Sequence, residues 1–149
     1  MADQGRGEID IRADRDRVWH VVTAFDEYPD WAGDIKHVAV LETGDEGLAR
    51  TVEYRVGGFG VTVGYTLAYT YDLPGTISWE LVRSNELRRM DGAYTFTDAG
   101  DGVTHVEYLL TVDLKIPVIG MIKRRAEKLI IHHALTGLRD HVEQAADCP

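Results

Sequence analysis

Between residues 35 and 114 the chain alternates apolar and polar positions with a period of two, and no stretch there is long enough for a helix. The cleanest run is 61–71, where Val61, Val63, Tyr65, Leu67, Tyr69 and Tyr71 share one face and Thr62, Gly64, Thr66, Ala68 and Thr70 the other. Similar runs are predicted at 36–42, 48–56, 77–82, 87–96 and 103–114, with Val52 and Tyr54, Trp79 and Leu81, Met90 and Tyr94, and Val106, Tyr108 and Leu110 as aligned apolar pairs or sets. The breaks at 43–47, 57–60, 72–75 and 98–102 are rich in Gly, Asp and Pro, as short turns require. Short turns join antiparallel neighbours, because a parallel pair needs a long crossover. One buried and one wet face follow from the alternation.

The ends of the chain differ. A short strand is expected at 8–12, then an amphipathic helix through Val18, Val22 and Phe25, broken at Tyr28-Pro29-Asp30-Trp31 into a small helix pair. After Pro117 the period changes to that of a helix, running to about residue 143. Ile122, Ala126, Leu129, Ile130, His133 and Gly137 form one stripe, and Ile131, Leu135, Leu138 and Val142 a neighbouring one. An antiparallel sheet followed by one long helix predicts an α+β fold, a curved sheet of about seven strands wrapped around that helix. A single domain over 8–146 is expected, with 1–7 and 147–149 as flexible termini.

Charge and cysteine content narrow the partners. A formal charge of −9 disfavours nucleic acid, whose phosphates need a concentrated basic face. The basic cluster Lys123-Arg124-Arg125 with Lys128 reads as the wet face of the helix. The lone Cys148 forms no internal disulfide, the N-terminus has no apolar signal core, and no run reaches the roughly 20 apolar residues of a bilayer span, so a cytoplasmic setting is expected. A monomer or weak homodimer is expected.

Several short motifs carry a resemblance. Ala13 followed by Val18-Trp19, the Tyr28-Pro29-Asp30-Trp31 break, the alternating aromatics of 65–72, Ile77-Ser78-Trp79, Gly100-Asp101-Gly102-Val103-Thr104 and the C-terminal helix resemble the START-like (SRPBCC) superfamily, the helix-grip or birch-pollen-allergen-like fold. Within it the chain is similar to the bacterial polyketide cyclase/dehydrase group. The resemblance covers almost the whole chain and implies a cavity between sheet and helix that takes lipids, sterols, polyketides, quinones or hormones. Only some members catalyse a reaction.

The expected site follows from both lines of reasoning. Trp31, Tyr54, Tyr65, Leu67, Tyr69, Trp79, Met90, Tyr94 and Tyr108 fall on inward positions, joined by Ile122, Ala126, Ile130 and His133 from the helix. Tyrosine packs its ring and offers a hydroxyl, the combination an amphipathic pocket needs. The bland alternative is a solid core with each hydroxyl at the rim. For catalysis His133 and Arg50 are the candidates, a general acid or base and a carbonyl-polarising cation, against the alternatives of a core histidine and a surface arginine. His132 and His133 point about 100° apart on a helix, so they do not chelate together, and neither metal nor other cofactor is expected. Ile116, Val118 and Ile119 with the Phe59 turn are candidates for a lid. The expected function is carriage, sequestration or sensing of a hydrophobic small molecule. The alternatives are an aromatase/cyclase acting on a chain held in the same cavity and a subunit that assembles through its threonine-rich sheet face.

Overall fold

The computed structural model describes residues 4–32, 34–44, 47–58, 61–72, 75–115 and 120–147, without the side chains at 4, 58, 61, 120–124, 126 and 145–147. The lid candidates at 59 and 116–119 lie outside the described residues. The order is β1 (Gln4–Ile11), α1 (Arg15–Thr23), a 3-10 turn (Phe25–Glu27), α2 (Tyr28–Trp31), β2 (Ile35–Thr43), β3 (Ala49–Gly58), β4 (Val61–Asp72), β5 (Thr76–Ser84), β6 (Leu87–Gly100), β7 (Val103–Leu114) and α3 (Gly120–Asp147). The strands form one antiparallel sheet in the order β1-β7-β6-β5-β4-β3-β2, the α+β helix-grip arrangement.

Local chemistry explains the connections. Asp14 caps α1 by accepting from the Arg17 N–H. Tyr28-Pro29-Asp30-Trp31, expected to break the helix, is itself a single helical turn with Pro29 in its first residues, where a missing N–H costs nothing. The turn from β6 to β7 carries positive φ at Gly100, Asp101 and Gly102; glycine adopts that backbone without a Cβ clash.

β1 begins at Gln4, four residues before the expected start, and pairs with β7 from Gln4↔Thr111 to Ile11↔Thr104. Its early residues matter because α3 lies on them. A Cβ on Gly5 would come within 2.8 Å of Ile131 Cδ1, and one on Gly7 within 2.9 Å of Leu135 Cδ1. The missing side chains let the helix settle close to the strand. At the far end of α3 the Glu143 carboxylate takes the Arg12 N–H at 3.0 Å and its guanidinium at 3.1 Å, tying helix to strand.

The core lies between the inner face of the sheet and the helices. Val52, Ile77, Phe96, Val106 and Leu110 come from the sheet, Val18 and Val22 from α1, and Leu138 and Val142 from α3. Each such side chain contributes about 1.5–3 kcal/mol by leaving water. Thr104 sits among them with its hydroxyl donating to the Ala13 carbonyl at 2.7 Å. The threonine face is not uniformly wet: Thr66 is buried between its register partners Glu53 and Arg83.

α3 is rotated relative to expectation. Its buried stripe is Glu127, Ile131, Leu135, Leu138 and Val142, at successive steps of four, four, three and four. The second stripe of the sequence faces the sheet at β1 and β7, and the first is displaced outward. Ile130 is 37% exposed. The His133 side chain is 60% exposed and stands 3.7 Å from the Asp34 carboxylate. The expectation that both point at the sheet is corrected by this phase.

Candidate functional site

α3 packs against β1 and, over a shorter length, β7. The inner face of β3 to β6 therefore meets aromatic side chains and the α1–α2 segment more than it meets the long helix. On that face and the neighbouring β7, Tyr54 and Tyr65 form one ring contact and Tyr69, Trp79, Tyr94 and Tyr108 a run of three, the two groups joined through Tyr28 and Phe25. Tyr54–Tyr65 centroids are 5.4 Å apart, Tyr69–Trp79 6.1 Å, Trp79–Tyr94 5.4 Å and Tyr94–Tyr108 4.7 Å. These spacings are those of attractive tilted and edge-to-face pairs.

The hydroxyls divide into two sets. Tyr54 and Tyr69 bond to each other at 2.5 Å, Tyr71 donates to the Ala49 carbonyl at 2.5 Å, and Tyr28 donates to the Val22 carbonyl. Tyr65, Tyr94 and Tyr108 take no part in these bonds. Burial raises the pKa of all of these phenols above the ordinary tyrosine value, pushing Tyr71 up to about 12. Every one is thus a neutral donor at physiological pH. Tyr65, Tyr69, Tyr94 and Met90 are desolvated or inward-facing and yet keep accessible surface.

Other expected residues lie elsewhere. Leu67 is buried on the inner face of β4 beside the tyrosines. Trp31 sits between α2 and α3, stacked on His141 at 5.4 Å and edge-on to Tyr28 at 5.3 Å, with its indole nitrogen buried and unbonded. Ile122 and Ala126 belong to α3, with side chains outside the described set. Arg50 is exposed. Irregular pairing of Glu42 and Thr43 with Thr51 and Ala49 shifts β3 by one residue, so Ala49 turns inward in place of Arg50.

One residue was missed. Glu127, on α3, is 4% exposed and is the one fully buried charged side chain among the described residues. Its Cβ lies 3.7 Å from the Cβ position of Gly5, at the β1 side of the core. Its signal was present: the Ile131, Leu135, Leu138 and Val142 stripe, extended back one turn, lands on it. Among the described residues no group of three or more His, Cys, Asp or Glu side chains could hold a metal, and no helix is long and apolar enough to cross a membrane.

Comparisons with known proteins agree with this architecture. A START superfamily protein from Mycobacterium smegmatis superposes with a TM-score of 0.90 at 20% identity, covering 95% of this chain and 98% of that one. The Zhui aromatase/cyclase from Streptomyces sp. R1128 gives a TM-score of 0.82 at 14% identity, covering 98% and 96%. A conserved protein from Geobacillus kaustophilus gives 0.80 at 11%, covering 96% and 97%. At these identities the likeness is one of fold. No curated protein matches the chain in sequence. Residues 4–143 match the family described as polyketide cyclase / dehydrase and lipid transport, and the chain belongs to that START-like family.

Proposed function

We propose that this protein binds a hydrophobic or amphipathic small molecule against the aromatic inner face of β3 to β7, as a carrier, sequestering protein or sensor. The observation that carries the reading is the division of the tyrosines. A dry core leaves few buried hydroxyls unbonded. Tyr65, Tyr94 and Tyr108 instead present three hydroxyls on one face of the sheet with no hydrogen bond to described residues, and Tyr65 and Tyr94 keep accessible surface. Neutral phenols there serve a ligand that accepts hydrogen bonds along an otherwise apolar body.

Native mass spectrometry of freshly purified protein tests this, followed by titration with the neutral fluorescent polyene ester methyl cis-parinarate. A co-purifying mass of a few hundred daltons, or saturable uptake competed by other apolar molecules, is expected. A protein that is consistently empty and takes up no probe rules the reading out.

Glu127 favours a second reading, an aromatase/cyclase type of enzyme. Aromatisation needs proton transfer in a water-poor site, and Glu127 is a buried ionisable group. The rest of the catalysis would come from holding a flexible chain in a reactive fold. With a poly-β-ketone substrate, Glu127→Gln should abolish turnover and leave substrate binding within a few-fold. Unchanged turnover excludes Glu127 as the proton carrier.

A further inference from the structure

The β5–β6 hairpin is only half closed. β4 and β5 pair as far as Ser84, and β6 and β7 pair from Leu87. β5 and β6 pair with each other only from Thr76↔Thr95 to Trp79↔Gly92. From there to the turn, residues 80–84 and 87–91 keep their outer neighbours and lose each other. Strand N–H and C=O groups alternate in direction, so part of the main chain on each side of this split lacks a ladder partner. On the outer face a groove of about 540 Å³ lies over the same place. Glu80, Arg89, Asp91 and Leu109 stand around it, and Trp79 and Gly92 form its floor.

The floor is thin. Trp79 belongs to the inner face, 5.4 Å from the Tyr94 ring and 5.6 Å from the Tyr108 ring. A Cβ on Gly92 would come within 2.7 Å of Trp79 Cζ2 and 3.0 Å of Cε2, and would strike the Leu109 carbonyl. The indole edge thus occupies the space that a side chain at 92 would fill. Its Nε1, bonded to Cε2, is buried and meets no acceptor, although Trp79 as a whole is only 6% exposed. A buried donor left unbonded is an uncommon expense in a folded protein. An interrupted ladder, a groove and an orphaned donor meet at one point.

We propose that the split between β5 and β6 is an opening of the aromatic chamber and the seat of the ligand's polar end, with Trp79 Nε1 donating to a carbonyl oxygen. The apolar body then lies along Tyr94 and Tyr108, and substituents beyond the carbonyl emerge on the outer face. Charge selects the type of carbonyl. Arg89 is already held by Asp91 at 2.6 Å, which leaves Glu80 to set the field over the groove. A neutral ketone, ester or amide fits that field and a free carboxylate does not. The proposal rests on the chamber reading above and adds to it where the ligand's head sits and what it is.

The test uses prodan, an amphipathic naphthyl ketone whose emission moves to the red when its carbonyl accepts a hydrogen bond. The folded wild-type protein should bind it with red-shifted emission, and should bind the matching naphthoic acid more weakly. Trp79→Phe keeps the ring stack and deletes the donor. It should blue-shift the bound emission and raise Kd about 2- to 13-fold, the worth of one neutral hydrogen bond. Ala93→Trp, on the outer face opposite Ser78, covers the groove without entering the chamber and should also weaken binding. It decides the matter if Trp79→Phe fails to fold. Prodan bound equally and with the same emission by wild type and both variants overturns this proposal and leaves the chamber standing. A rise in Kd with unchanged emission overturns it too, because lost packing would account for that. No binding to the wild type overturns the chamber reading and this proposal together.

Discussion

The Tyr54–Tyr69 hydroxyl pair offers a test of how the inner face is built. The two oxygens are 2.5 Å apart on β3 and β4, with desolvation raising both pKa values. Tyr54→Phe removes one hydroxyl and strands the other in an apolar surround. Leaving a buried hydroxyl unbonded costs about 1–3 kcal/mol, whereas removing both partners is close to neutral. In a domain of 149 residues each kcal/mol moves Tm by about 2–4 °C, so each single variant should lose roughly 2–12 °C. The double variant Tyr54→Phe/Tyr69→Phe should recover most of that loss. Urea unfolding of the four proteins, analysed as a cycle, gives a coupling of about 1 kcal/mol or more on this account. Tyr94→Phe and Tyr108→Phe, whose hydroxyls have no protein partner, should by contrast leave stability unchanged to within about 0.5 kcal/mol. Near-zero single effects that simply add would refute the reasoning. They would mean that water already satisfies the Tyr54–Tyr69 pair.

Four further expectations follow from the packing and the surface charges. Gly7→Ala places a methyl against Ile131 and Leu135, and should cost about 1–3 kcal/mol in urea unfolding, part of it recovered by trimming Ile131 to Val. Thr104→Val strands the Ala13 carbonyl and should also cost about 1–3 kcal/mol by the same assay. His105 is held above its ordinary 6.5 chiefly by the Asp10 carboxylate at 2.7 Å, with Glu8 helping. Its stabilising contribution is therefore full below 6.5 and is lost as pH rises through the raised value. An NMR titration should show the His105 midpoint above 6.5 and a downward move in Asp10→Asn. Glu143 is shifted the other way by the Arg12 N–H, so its contribution is present above 4.5 and fades as pH falls through its lowered value.

Much of the sheet was legible because β-strands write their faces with a period of two. Val52, Tyr54, Leu67, Ile77, Trp79, Phe96, Val106, Tyr108 and Leu110 point inward as the alternation requires. What failed was local register and helical phase. The irregular β2–β3 pairing that expels Arg50 leaves no mark in composition, because a bulge depends on the partner strand. The wide apolar arc of α3 allowed two phases. The choice between them was made by Gly5 and Gly7, on a strand more than a hundred residues away, which draw Ile131 and Leu135 down and carry His133 to the surface. Glu127 was overlooked for a related reason: a charged residue on a helix is read as wet until the stripe it belongs to is known. The split between β5 and β6 was equally hidden, since Trp79, Leu81, Met90 and Tyr94 keep their spacing through it and say nothing of which strand each pairs with.

The central claim is that the tyrosine-lined inner face holds a ligand. Intermolecular NOEs from bound prodan to assigned aromatic protons test it most directly. The account predicts contacts from the probe to the rings of Tyr65, Tyr94, Tyr108 and Trp79. Saturable binding whose NOEs fall only on outer-face residues such as Thr62, Val82 or Arg83 would contradict it.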